Sequence, residues 1–166
     1  VLQSRIGTAR RLHAMLGSPR PPVGALGGPA YTLSASGTAL LFELGAEMLD
    51  EHGNPDAPVD VVLDSDSRNA TAKHQILEMY VEHGFELPDT PMMALHRGRI
   101  DLLEAHLRRD PTLLRRTFSY AEIMPPELKC RQPEPGSYDE GLPRTPLAGA
   151  TLLHACVEFE EIAIAQ

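Results

Sequence analysis

The stretch EMYVEHGFELPDTP, residues 78–91, has a close counterpart in EMLDEHGNPDAP, residues 47–58. The glycines that follow the two Glu-His pairs, Gly53 and Gly84, lie 31 positions apart, and the closing prolines lie 33 positions apart. A phrase that recurs at this spacing is typical of a repeat protein, in which every copy needs similar residues to pack on its neighbours. The sequence therefore predicts stacked copies of one helical unit.

Each copy predicts the order helix, glycine, turn, proline-led helix. Long helices are expected over residues 38–52 and 70–83, each ended by its glycine, because glycine readily takes the left-handed conformation that closes a helix. Short helices are expected to begin at Pro58 and Pro91, since proline suits the first helical position. Apolar spacing over residues 100–109 predicts the long helix of a third pair.

Length and composition indicate one helical domain. The chain has 166 residues, of which 42% are hydrophobic and 5% aromatic, with no Trp. A core of Leu, Ala, Val, Ile and Met favours helices over sheet. We expect a single repeat domain over 1–166. It would comprise an N-terminal helix with a Pro/Gly-rich loop (1–37), degenerate repeats (38–111), a Pro-rich insertion (112–148) and the start of a further repeat (149–166).

Three short motifs carry a resemblance to a known family. The sequence TLLHAC at residues 151–156 resembles the T-P-L-H-x-A motif of the ankyrin-repeat family, whose repeat is about 33 residues of one turn and two antiparallel helices. TPMMAL at residues 90–95 is a second match and APVD at residues 57–60 a third. The resemblance implies an all-α, ankyrin-like solenoid, in which the ring of His154 ties the turn together through hydrogen bonds.

The resemblance also implies a binding surface. In this family, partner proteins usually lie against the concave side, which is formed by inner helices and turns. The outward positions before the inter-helix turn would be His96 and Arg97 in one copy, and Glu158 and Phe159 in another. Met93 is a further candidate contact, because methionine adapts to irregular surfaces. We therefore expect a protein-binding module, with another protein as its partner and no catalysis.

Charge is distributed in blocks along the chain. The net charge is −8, which argues against a nucleic-acid partner. Residues 43–96 hold twelve acids against two bases, whereas residues 1–42 hold four arginines and no acid. Such blocks fit either ordinary solvated faces or a partner-binding surface divided into acidic and basic bands. The densest basic run comprises Arg97, Arg99, Arg108, Arg109, Arg115 and Arg116.

The cysteines indicate a reducing compartment. Cys130 and Cys156 fit neither a disulfide framework nor a zinc pattern, so we expect a cytoplasmic protein with no metal or other cofactor. No run of apolar residues approaches the roughly 18 that a membrane helix needs, so no membrane partner is expected. The chain starts without Met and stops inside an apolar-periodic stretch, which is typical of a fragment. A 13 to 2 excess of Arg over Lys favours a GC-rich, bacterial genome.

Two other functions remain open at this stage. The first is an enzyme or sensor whose site lies in the insertion, around Tyr120, Glu122, Cys130 and Tyr138, with the repeats as scaffold. A cleft with converging polar groups would favour it. The second is a structural role, in which the segment packs on further repeats or on another copy of itself.

Overall fold

Helices follow one another through residues 2–65, 69–133 and 147–165, the part of the chain that the computed structural model describes. Within this part there is no β-strand, only two isolated antiparallel bridges, Leu49 to Pro55 and Phe118 to Ala150. The expectation of an all-α chain is confirmed. The helices are α1 (Leu2–Met15), α2 (Gly27–Tyr31), α3 (Ala35–Glu43), α4 (Val59–Leu63), α5 (Ala70–Glu82), α6 (Pro91–His96), α7 (Ile100–Arg109), α8 (Tyr120–Ile123), α9 (Leu152–Glu158) and α10 (Ile162–Ala165).

Eight of these helices form pairs of helices in contact that follow each other along the chain: α2 with α3, α4 with α5, α6 with α7, and α9 with α10. The first two pairs also pack on each other, because α2 contacts α4 and α3 contacts α5. One such pair buries only one face, so the next pair covers the face that it leaves open. The first part of the chain therefore stacks pair on pair.

Local sequence explains where several helices begin and end. The side chain of Thr90 accepts a hydrogen bond from the backbone N–H of Met93, and Pro91 is the first residue of α6. Gly84, with φ of +91°, closes α5. These features follow the ordinary rules for helix caps, and they confirm the predictions made for the second copy. Thr151 and His154 form a capping box at the start of α9, as expected for His154.

In the first copy, the short helix α4 begins directly after Pro58, close to the predicted start, but the predicted end of the long helix at Gly53 is wrong. Helix α3 ends at Glu43, and Gly45, with φ of +89°, closes it well before Gly53. The following residues 47–56 form a hairpin-like turn, because the carboxylate of Asp50 accepts hydrogen bonds from the backbone N–H groups of His52 and Asn54. Asp and Asn compete with helix in this way. The two similar phrases therefore adopt different structures, one as a hairpin and one as a helix end.

The Pro/Gly-rich region before the repeats is also more ordered than its composition predicts. Helix α2 and the start of α3 both lie inside the segment that we expected to be a loop up to residue 37. Pro29 is the third residue of α2, where the missing N–H costs nothing because the first four N–H groups of a helix have no partner within it. Ser34 then caps α3 by accepting a hydrogen bond from Gly37.

The core lies between the paired helices and extends into the insertion. Ile76, Leu77 and Tyr80 of α5 are fully buried, as the helical spacing predicted. Phe118 and Ile123, which belong to the predicted insertion, are buried as well. The described part of the insertion, residues 112–133 with 147 and 148, is therefore part of the fold, and it contains helix α8. No helix among the described residues is long and apolar enough to cross a membrane.

Candidate functional site

Of the five residues predicted to face a partner, His96 and Phe159 are in contact, and three of the five are buried. His96 and Met93 expose 0% and 1% of their surface, and Glu158 is buried too. Phe159 is half-buried, and its ring packs edge-on against that of His96 with centroids 4.5 Å apart. Arg97 is held by Glu78 in an ion pair. The expectation that these residues face outward is wrong, because the turn between α9 and α10 packs over the end of α6.

A buried charged cluster occupies this junction. The ammonium of Lys73 lies 2.7 Å from a carboxylate oxygen of Glu161, and Nε2 of His74 lies 2.9 Å from the same carboxylate. The Lys73 ammonium also lies 5.0 Å from the centroid of the Phe159 ring. These contacts join the first turn of α5 to a turn that is 87 residues further along the chain. The cluster therefore fastens the last helical pair to the earlier ones.

Burial controls protonation in the cluster. Burial lowers the pKa of Lys73, although Glu161 partly opposes this. Burial would raise the pKa of Glu161, but hydrogen bonds from His74 and Lys73 hold it below its usual value. Burial also lowers the pKa of His96 to about 3, so that ring is neutral and its Nε2–H donates to the carbonyl of Ile123 at 2.9 Å. These groups serve the packing of the junction, where a substrate has no access.

Sequence analysis missed Lys73 and Glu161. A signal was available for the lysine, because it shares one helical face with Ile76 and Leu77, and a charged residue on an apolar face needs a buried partner. The identity of that partner was not accessible, since the insertion lies between the two residues. Among the described residues, no group of three or more His, Cys, Asp or Glu side chains could hold a metal ion.

The basic run is largely neutralised by acids on the same molecule. Arg97 and Arg99 both pair with Glu78. Arg108 pairs with Glu104 one helical turn away. The others with an acidic partner are Arg109, which lies 3.8 Å from Asp89, and Arg116, which pairs with Glu122. This arrangement weakens the positive field that an acidic partner would need.

Six of the acids of residues 43–96 lie differently, along a groove between the hairpin of residues 47–56 and helix α4. The groove contains two neighbouring cavities of about 520 and 430 Å³, both bordered by Asp60 and Lys129. We call this surface the acidic groove. Its acidic lining residues are Glu47, Asp50, Glu51, Asp56, Asp60 and Asp64, and its other lining residues include Val23, Tyr31, Leu49, His52 and Ser65.

Side chains with exposed apolar surface border the acidic groove. Tyr31, at the end of α2, exposes 75% of its surface, and Val23 exposes 63%. The carboxylate of Asp50 stays ionised, because hydrogen bonds from Asn54 and His52 hold its pKa below the usual range. The groove thus combines fixed negative charge with an exposed aromatic ring, which is a favourable composition for a protein contact.

Two basic side chains of the chain itself line the acidic groove, Lys129 and Arg131, and Arg20 pairs with one of its acids, Glu47. The ammonium of Lys129 lies 2.7 Å from a carboxylate oxygen of Asp56. The hydrogen bond that Lys129 donates to Asp56 and the charges of Asp56, Asp50 and Asp60 raise the pKa of Lys129. Next to it, Cys130 is 4% exposed, and burial together with the charges of Asp60 and its neighbours raises the pKa of its thiol to about 12.

These observations also bear on the alternative site in the insertion. The thiol of Cys130 is buried, and burial raises its pKa, so it is protonated. Glu122 caps helix α8 by accepting hydrogen bonds from Ser119 and pairs with Arg116. Tyr120 lies at the start of the same helix, and Tyr138 lies outside the described residues. Cys130 is therefore part of the core, and Glu122 is part of a helix cap.

A second surface near the end of the described chain is apolar. A cavity of about 440 Å³ lies against α9 and is bordered by Leu147, Gly149, Leu153 and Val157, among others. Leu153 and Val157 are exposed, although Leu153 was expected to face inward. Comparison of the chain with family models, curated proteins and solved structures finds no match. The candidate site therefore rests on the geometry of the acidic groove.

Proposed function

We propose that this chain is a protein-binding module that holds a basic segment of a partner in the acidic groove. The observation that carries the proposal is the convergence of six carboxylates from the hairpin and α4 on one groove, where the chain already seats its own Lys129. Charge complementarity selects a partner rich in lysine or arginine. Exposed Tyr31 and Val23 would supply the apolar contact.

The fold supports this proposal through its rigidity. We propose that the stacked helical pairs are ankyrin-like repeats, with the motif residues Thr90 and Thr151 as helix caps. The bridge between Leu49 and Pro55 and the hydrogen bonds to Asp50 fix the hairpin, so little freedom is lost when a partner binds. We propose a cytoplasmic location, which the two free, buried cysteines support.

Fluorescence anisotropy with a defined probe tests the proposal. The probe is a short fluorescein-labelled peptide of alternating arginine and serine, and its counterpart carries glutamate in place of arginine. We expect binding of the arginine peptide only, with an affinity that falls as salt rises, because exposed charges are screened beyond about 10 Å at 0.1 M salt. Equal binding of both peptides would contradict the proposal.

Paired variants locate the binding surface. Asp60→Asn with Glu51→Gln removes two carboxylates from the acidic groove, whereas Glu82→Gln with Glu86→Gln removes two exposed carboxylates elsewhere. We expect the groove variant to bind about fivefold more weakly, since an exposed ion pair contributes up to about 1 kcal/mol. The control variant should bind like the wild type. Equal losses in both variants would show attraction by net charge alone and would reject the groove.

A further inference from the structure

The segment that carries Lys129 is anchored beside the acidic groove. Pro126–Leu128 forms a 3₁₀ turn, and the side chains of Leu128 and Cys130 on either side of the lysine are both buried. Lys129 itself has φ of +65°, in the left-handed region, and 64% of its side chain is exposed. Two buried neighbours thus hold a basic side chain at a fixed place over the groove.

The position of Lys129 divides the acidic groove. Its side chain borders both cavities, together with Asp60. Its ammonium is paired with Asp56 of the hairpin and lies in the field of Asp50 and Asp60. A basic residue from a partner would find its most favourable charge at this same point, where it would meet Lys129 as a competitor of like charge.

We propose that Lys129 is an intramolecular competitor, which occupies the acidic groove until a basic segment of a partner displaces its side chain. This inference rests on the proposed function and adds a regulatory contact to it. The backbone at Lys129 is in a conformation that glycine adopts more easily than lysine, which indicates that neighbouring contacts hold the residue in place. An exposed ion pair is weak enough for a partner to replace it.

The test measures anisotropy with the arginine–serine peptide on three variants. Lys129→Ala and Lys129→Gly remove the competing charge, and the glycine variant also suits the positive φ, so its fold is retained. Arg115→Ala is the matched control, because it removes an exposed positive charge that does not line the groove. We expect both Lys129 variants to bind the peptide about threefold to fivefold more tightly, as follows from the strength of an exposed ion pair.

The outcomes separate this inference from the proposed function. A gain in both Lys129 variants, with Arg115→Ala close to wild type, supports competition. A gain of the same size in Arg115→Ala would show a general charge effect and overturn it. If Asp60→Asn with Glu51→Gln loses binding but the Lys129 variants do not gain, the groove stands and the competition is wrong. If the wild type and all variants fail to bind the peptide, both proposals are wrong.

Discussion

At the scale of single residues, the junction of α5, α6 and the turn after α9 depends on groups that are costly to bury. His96 has no exposed surface, and its Nδ1 finds no hydrogen-bond partner among the described residues. Lys73 and Glu161 form a buried ion pair. Removing one partner of a buried ion pair strongly destabilises the fold, because the other charge is then left buried without compensation. The junction should therefore respond sharply to single substitutions and to acid.

His96 makes stability depend on pH. In the unfolded chain an ordinary histidine binds a proton near pH 6.5, whereas the folded protein keeps His96 neutral down to about pH 3. Between these values the unfolded state holds more protons, so stability falls as pH falls below about 6.5. We expect the free energy of unfolding in urea to drop by up to about 1.4 kcal/mol per pH unit from this group alone.

The variant His96→Gln isolates that contribution. Glutamine can still donate to the carbonyl of Ile123 but does not titrate, so the variant should be less stable than the wild type at pH 7 and closer to it at pH 5. In the difference between the unfolding free energies of the two proteins, the titration of every other group cancels. A gap in stability that is the same at both pH values would show that His96 is not held neutral by the fold.

The Lys73–Glu161 pair can be tested by a double-mutant cycle. We expect Glu161→Leu and Lys73→Met each to destabilise the fold by about 3–5 kcal/mol, because each leaves a buried polar group without its partner. The double variant Lys73→Met with Glu161→Leu should cost much less than the sum. Glu104→Gln, which breaks an exposed pair with Arg108, should cost under about 0.5 kcal/mol. Additive effects of the two buried substitutions would contradict the pairing.

At the scale of helices, the caps show which features the sequence could reveal. Thr90, Pro91 and Gly84 obey rules that involve only a few neighbouring residues, so the second copy was predicted correctly. The first copy offered two possible stops, Gly45 and Gly53, within one apolar-periodic stretch. The hairpin that follows Gly45 decides between them, and its hydrogen bonds were not evident from periodicity alone.

The glycine that closes α6 has a second role at this scale. Gly98 has φ of +64°, and a Cβ placed on it would overlap the ring of His74. Gly84 has a similar φ of +91°, but open space surrounds its missing Cβ. We expect Gly84→Ala to cost about 1–2 kcal/mol from backbone strain alone. Gly98→Ala should cost at least about 1 kcal/mol more, because His74 must leave Glu161.

Thermal or urea unfolding of three proteins checks this difference. The two single variants give the size of the extra cost at Gly98. The double variant Gly98→Ala with His74→Ala removes the overlapping ring. Adding His74→Ala to Gly98→Ala should therefore cost little further stability. If Gly98→Ala is no worse than Gly84→Ala, the close packing of α6 against the first turn of α5 is wrong.

At the scale of the whole molecule, residues that are far apart in the sequence lie in contact. Composition and periodicity were sufficient to predict an all-α fold. The binding residues, in contrast, were predicted by analogy with ankyrin repeats, in which the inner helices expose one face to a partner. Here the turn of residues 159–161 covers them, and contacts over 87 positions of sequence bring this about. The acidic groove was visible only as a block of negative charge, because its lining comes from the hairpin, α4 and the insertion together.

Two surfaces of the molecule are candidates for the partner site. The acidic groove has a specific charge pattern, and the apolar surface around Leu153 and Val157 has exposed aliphatic groups. A basic peptide distinguishes them, because only the groove offers carboxylates from both the hairpin and α4. Self-association through the apolar surface would be independent of such a peptide.

The most direct measurement is a titration of the isotope-labelled protein with the arginine–serine peptide, followed by amide chemical shifts. We expect the largest changes at the amides around Tyr31, Asp50, Asp60 and Ser65, with saturation as the groove fills. Shifts concentrated at α9 instead, or spread evenly over exposed acids such as Glu82, would contradict a basic-segment site in the acidic groove.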